Sequence, residues 1–216
     1  MRAKDKVISL VRTAEWEGLE EEARKDTRVL NGLIQALNLA DEEMAWRAAE
    51  GFGRAAAIVS GTDGELCRDR MARLVGTFND EQCGVSARFT APALGEAIAR
   101  VPETFIEHAP MLLFALAHPC LQAGAAWAVG RIGGVRPDLV MAAAPRIIPL
   151  LRGSDPAVRG NAAWALGEMR SEEAVAELEV LKNDSAPLRI YSEGRLTETT
   201  VGELAAAAKR KITSSR

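Results

Sequence analysis

The chain has 216 residues, 48% of them hydrophobic and only 5% aromatic, which supplies a buried core and favours close-packed helices over strands, since strands draw on β-branched and aromatic side chains. Lys and Arg total 27 against 30 Asp and Glu, a net charge of −3, so no global positive field collects nucleic acid or anionic membrane. No run approaches the roughly 18 apolar residues of a transmembrane helix, and the opening Met1-Arg2-Ala3-Lys4-Asp5-Lys6 leads into a stretch broken by Ser9 and Arg12, too short and charged for a secretory signal; the chain reads as cytoplasmic.

Residues 1–40 read as helices around Val7–Arg12, Gly18–Arg24 and Thr27–Leu39, with Glu20-Glu21-Glu22 on a solvated face. They form an N-terminal cap, which a repeat array needs because its first unit would otherwise expose the stacking surface. Residues 41–183 carry the repeats. Weak copies run from Asp41 to Gly53 and from Cys83 to Gly95. Two stronger copies follow, His118–Gly130 and Asp155–Gly167, and they overlay without a gap. Each reads as a turn, a proline at helix start and a helix. Asp155 is an N-cap with Pro156 at the first helical position, and His118 takes the equivalent capping place.

The closing glycines act as anchors. Gly53, Gly95, Gly130, Gly167 and a degenerate Ala206 follow one another at 42, 35, 37 and 39 residues, each interval long enough for a helix pair. Glycine at the anchor removes a side chain where the next helix crosses, and Ala48, Ala49, Ala125, Ala126, Ala162 and Ala163 let backbones approach. Pro110 and Pro145 each lie 15 residues after an anchor and precede large apolar residues, so each kinks or starts the second helix of its repeat. Trp127 and Trp164 share one repeat position and are expected to pack between repeats. The residues after the anchors, Arg54, Glu96, Arg131 and Glu168, alternate in sign and suggest a weak charge ladder.

The pattern Asp155-Pro156-x-Val158-Arg159-x-x-Ala162-Ala163-x-Ala165-Leu166-Gly167, followed by Glu173-Ala174-Val175-x-x-Leu178, resembles the short HEAT-like repeat known from phycobilin lyase subunits. The resemblance covers roughly residues 41–211 and implies an all-α fold, an α-α superhelix of stacked helix pairs whose second helices line a concave face. It says little of function.

The last repeat, 184–216, departs from the pattern. About ten residues enter its turn, and the insert, Pro187–Thr199, alternates in the manner of a short β-hairpin: Leu188, Ile190 and Leu196 on one side, Arg189, Arg195 and Glu198 on the other, across Ser192-Glu193-Gly194. It is a lid docked on the final helix pair or a recognition loop carrying Arg189, Tyr191 and Arg195.

No constellation for catalysis emerges. His108 and His118 are the only histidines and lack a second ligand at metal spacing; Glu107 and His108 are neighbours on a helix and do not face each other. Cys67, Cys83 and Cys120 are odd in number, lack CxxC spacing and read as buried thiols, neither zinc ligands nor a disulfide. No cofactor is implied. The chain, taken as one domain over 1–216, reads as a non-catalytic scaffold that binds a protein through Arg68, Asp69, Arg73, Glu107, His108, Arg146 and Arg152 on its second helices, with Arg189, Tyr191 and Arg195 from the insert. The resemblance supplies an alternative, an accessory lyase or chaperone handling a prosthetic group. Nucleic-acid binding, known for alkyl-purine DNA glycosylases built from similar helical pairs, has little support: Arg68, Arg70 and Arg73 and Lys209-Arg210-Lys211 are separate basic clusters with nothing continuous between them.

Overall fold

The computed structural model describes residues 3–79 and 85–214, which are helical apart from one two-stranded hairpin. Two compact units are present, residues 1–111 with 193–195 and residues 112–192 with 196–216.

In the first unit the N-terminal helices stand where the apolar spacing puts them: α1 (Ala3–Thr13), α2 (Trp16–Lys25) and α3 (Val29–Ala36). α1 ends on left-handed Ala14 (φ 54), and the Glu15 N–H reaches back 2.9 Å to the Leu10 carbonyl to satisfy the helix end. α4 (Glu42–Gly76) starts on Asp41, whose carboxylate accepts from the Met44 N–H at 3.1 Å. It is two helices in sequence. Asp63 leaves helical geometry (φ −148, ψ 74) and its carboxylate accepts from the Leu66 N–H at 2.9 Å, so it caps a second start. α5 (Val85–Arg100) and α6 (Pro102–Phe105) complete the helices of this unit up to the proline that opens α7. The anchor role of Gly53 is physical: a Cβ there would lie 2.6 Å from the Glu96 Cβ and 2.8 Å from its carbonyl carbon. The Cys83–Gly95 copy begins outside the described residues.

α7 (Pro110–Leu116) starts at its proline, as the matched spacing predicts, and α9 (Ala144–Ile147) carries Pro145 in its first turn. The second unit then runs through α8 (Gln122–Gly133), α10 (Pro156–Glu168), α11 (Val175–Leu181), strands β1 (Pro187–Ser192) and β2 (Arg195–Thr200), and α12 (Val201–Thr213). Asp155 caps α10 through the Ala157 N–H at 2.8 Å. A Cβ on Gly130 would lie 2.7 Å from the Ala165 Cα, and the two repeat-related tryptophans stack with centroids 5.8 Å apart and planes 15° apart. Ala125, Ala126, Ala162 and Ala163 are fully buried between these helices.

The hairpin forms at the expected place. Glu193 (φ 48) and Gly194 (φ 81) both take positive φ at its tip, the geometry whose twist matches flanking strands. Leu188 and Ile190 are buried, and Leu188 lies over Gly160 of α10, where a Cβ would collide with it. The strand is therefore docked. Its return leads into α12 through a reciprocal cap, in which Thr200 Oγ1 accepts from the Glu203 N–H at 3.2 Å and the Glu203 carboxylate accepts from the Thr200 N–H at 2.9 Å.

Two expectations need correction. His118 does not cap its helix: α8 begins at Gln122 on Leu121 with no side-chain cap, while His118 Nδ1 bonds the Phe114 carbonyl at 2.8 Å and its ring lies 4.0 Å from that of Phe114. The turn after α7 is longer than the sequence overlay implies, and the His118 carbonyl serves it by accepting from Leu121 and Gln122. The cysteines also differ from expectation. Cys67 is a buried thiol, donating to the Ala56 carbonyl at 3.8 Å, and burial pushes its pKa up to about 11. Cys120, by contrast, is exposed and disulfide-bonded. Cys83 lies outside the described residues.

Candidate interaction surface

Six of the residues expected to bind a partner belong to the first unit: Arg68, Asp69, Arg73, Glu107, His108 and, from the hairpin tip, Arg195. Arg68, Asp69 and Arg73 stand on the part of α4 beyond Asp63 and take part in two separate sets of ion pairs. Arg68 pairs with Glu65, while Asp69 accepts from Arg70 at 2.6 Å and from Arg73 at 3.2 Å. The Arg68 guanidinium is held further in its charged form chiefly by the Glu65 hydrogen bond, with Glu107 adding at longer range. Glu107 and His108 occupy a 3₁₀ turn, Ile106–His108, instead of an α-helix. His108 Nε2 lies 3.8 Å from the Glu107 carboxylate, beyond hydrogen-bond reach. His108 Nε2 is buried and has no hydrogen-bond partner among the described residues.

Arg146, Arg152, Arg189 and Tyr191 belong to the second unit. Arg146 is exposed on α9. Arg152 is 76% exposed and grips Glu177 with both arms of its guanidinium, Nε to Oε2 at 3.1 Å and the second nitrogen to Oε1 at 2.5 Å, which lowers the Glu177 pKa. Arg189 is exposed on β1 and Arg195 is exposed among the tip residues grouped with the first unit. Tyr191 is placed otherwise than expected for a recognition residue. It is 1% exposed, its ring sits edge-on to Trp127 at 6.0 Å, and its carbonyl accepts the Trp127 indole N–H at 3.0 Å. The alternation of β1 breaks there because two successive side chains, Ile190 and Tyr191, both find apolar surface.

The charges after the anchors form partnerships denser than a screened surface ladder. Glu50 and Glu96 are 5% and 3% exposed. Arg54 bonds Glu50 at 2.9 Å and Glu20 at 3.2 Å, while Arg100 bonds Glu96 at 3.1 Å and reaches Glu50 at 3.8 Å. In the second unit Glu168 pairs with Lys211. Glu50 thus has two arginine partners, Arg54 and Arg100, and Arg100 in turn serves both nearly buried carboxylates.

Sequence reasoning missed three contributors. Asp63 had a legible signal, an Asp followed by Gly and Glu at a helix start. Arg47 and Gly160 had none. Arg47 Nε donates to the Gly194 carbonyl at 2.6 Å and its second nitrogen to the Arg12 carbonyl at 2.5 Å, both within the first unit; Gly160 makes room for a side chain 28 residues later. Neither relationship is periodic. Among the described residues no group of His, Cys, Asp and Glu could hold a metal ion, and no helix is long and apolar enough to cross a membrane.

Stacked helix pairs closed by glycine anchors define an α-helical repeat solenoid. Residues 121–169 match the HEAT-like repeat and residues 158–184 the PBS lyase HEAT-like repeat. Residues 121–184 are thus built of HEAT-like repeats. An engineered protein of known structure superposes with a TM-score of 0.57 at 19% identity, covering 99% of this chain and 100% of that one. A second engineered protein gives 0.53 at 18%, covering 99% and 98%. A designed armadillo repeat protein in complex with peptide (KR)4 gives 0.51 at 15%, covering 98% and 100%. At these identities the likeness concerns fold alone. No curated protein matches the chain.

Proposed function

We propose that the chain, as one repeat domain over residues 1–216, is a non-catalytic scaffold that binds a protein or peptide through the exposed polar side of its second helices. The observation that carries the reading is the exposure of Arg146 and Arg152 on one repeat element, six residues apart. Arg68, Asp69, Arg73, Glu107 and His108 are the corresponding residues of the first unit, and Arg189 and Arg195 add exposed cations from the hairpin. The designed armadillo neighbour that carries a peptide gives the mode by analogy, at the level of fold. A cytoplasmic setting agrees with this reading only where Cys120 is reduced, because that compartment keeps thiols reduced.

The test pairs affinity capture by the wild-type chain with capture by the Arg146→Glu, Arg152→Glu variant. A protein retained by the first and lost by the second supports the scaffold. A chain that retains no protein and instead shifts the visible absorbance of an added bilin favours prosthetic-group handling, and retention of nucleic acid that weakens steeply with salt favours that third class.

A further inference from the structure

The hairpin strand β1 packs on the second unit as a ligand would pack. Its carbonyl at Tyr191 takes a hydrogen bond from a tryptophan side chain, at 3.0 Å from Trp127 Nε1. Its Leu188 drops into a socket made by Gly160, and Leu204 closes the other side. Its Tyr191 ring stands edge-on to Trp127, which is itself stacked on Trp164. One extended segment thus crosses two successive repeats, α10 and α8. The other strand, β2, has no buried residue and pairs, among the described residues, with β1 alone.

Gly160 is the informative residue. It is not an anchor, and a helix-interior glycine costs about 1 kcal/mol relative to alanine. Its match in the preceding copy is Ala123. The socket is therefore particular to this repeat and is shaped for a leucine arriving on an extended chain.

We propose that the face of α8 and α10 bearing Trp127, Gly160 and Trp164 is a peptide-binding surface occupied in the free protein by the chain's own β1, and that its external partner is an extended segment presenting leucine, a β-branched aliphatic residue two positions on and an aromatic residue next. The hairpin is an intramolecular competitor for that partner. This surface is separate from the second-helix residues above, so the two readings fail separately.

The probe is a fluorescein-labelled peptide of residues 186–192, Ala-Pro-Leu-Arg-Ile-Tyr-Ser. Its binding is measured by anisotropy to the wild-type chain and to a Leu188→Asp, Ile190→Asp variant that unseats β1. Because a site open only part of the time weakens apparent affinity by the open fraction, the unseated variant should bind roughly tenfold or more tightly than wild type. Adding Gly160→Leu, which fills the socket, should abolish that gain. Equal binding to both chains, or none to an unseated variant that keeps its helical circular dichroism, overturns the proposal. Should the unseated variant lose its helices, amide exchange of the wild-type chain decides. β1 amides exchanging through an opening that leaves α8 and α10 protected support the competitor, and β1 amides exchanging only with those helices overturn it.

Discussion

Gly167 of α10 and Ala208 of α12 meet backbone to backbone: a Cβ added at Gly167 would sit 2.6 Å from the Ala208 Cα and 2.7 Å from its Cβ. Neither atom is the end of a flexible side chain, so one helix must move to admit a methyl group. Gly61, by contrast, lies within α4 with nothing inside 4 Å of the added atom. Alanine favours the helix at both positions by about 1 kcal/mol, yet the outcomes should have opposite sign. Gly167→Ala should destabilise by about 1 to 3 kcal/mol through overpacking, and Gly61→Ala should stabilise by roughly 0.5 to 1 kcal/mol. Urea melts of both variants check this, with equal shifts in the same direction excluding the anchor role.

That contrast also shows why much of the fold was legible in the sequence. Gly53, Gly130 and Gly167 at repeat spacing, Pro110 and Pro145 at matched offsets, and Asp155 before its helix are local or periodic features, and each is found in its expected role. What escaped was non-local. The burial of Tyr191 depends on Trp127, 64 residues away, and the hold of Arg47 on the hairpin tip on a carbonyl 147 residues away. His118 shared a position with Asp155 but not its chemistry, because the turn before α8 is longer. The candidate site was legible only as residue types: exposure separated Arg146 and Arg152 from Tyr191, whose burial follows from the docking of β1 on Trp127.

The hairpin makes a second prediction. Ile190 is 8% exposed, whereas Arg195 is exposed without burying apolar area. Ile190→Ala should therefore cost about 2 kcal/mol or more, and Arg195→Ala about 0.5 kcal/mol or less. Thermal melts with a circular-dichroism readout distinguish these. An unchanged melting temperature for Ile190→Ala would show that the strand contributes no packing.

The cysteines should differ in reactivity. Cys67 is buried, with its pKa pushed up to about 11, so little thiolate is present at neutral pH. Cys120 is exposed but held in a disulfide. Iodoacetamide applied to the oxidised native chain should label neither. Unfolding without reductant should expose Cys67 alone of the two, and reduction of the native chain should expose Cys120 alone. Peptide mapping after each treatment reads this directly, and native labelling of Cys120 before reduction would exclude the bond.

Glu179 links stability to acid pH. Its carboxylate accepts from Lys182 at 2.5 Å and from Lys209 of α12 at 2.7 Å, and these hydrogen bonds, Lys182 first, hold its pKa at about 2 against an ordinary 4.5. The native state therefore releases this proton more readily than the unfolded chain does. Between those two values the unfolded chain binds more protons, so the contribution of Glu179 is fully present above about pH 5 and is lost as pH falls toward 2. The group is solvent-exposed and screened, so the effect is small and sensitive to salt. Glu179→Gln should lower the melting temperature slightly at pH 7, with the difference from wild type shrinking through this acid range. Parallel melts of the two chains from pH 7 to pH 3 check the trend, and a difference that stays constant or grows on acidification would exclude the lysine pairing as its source.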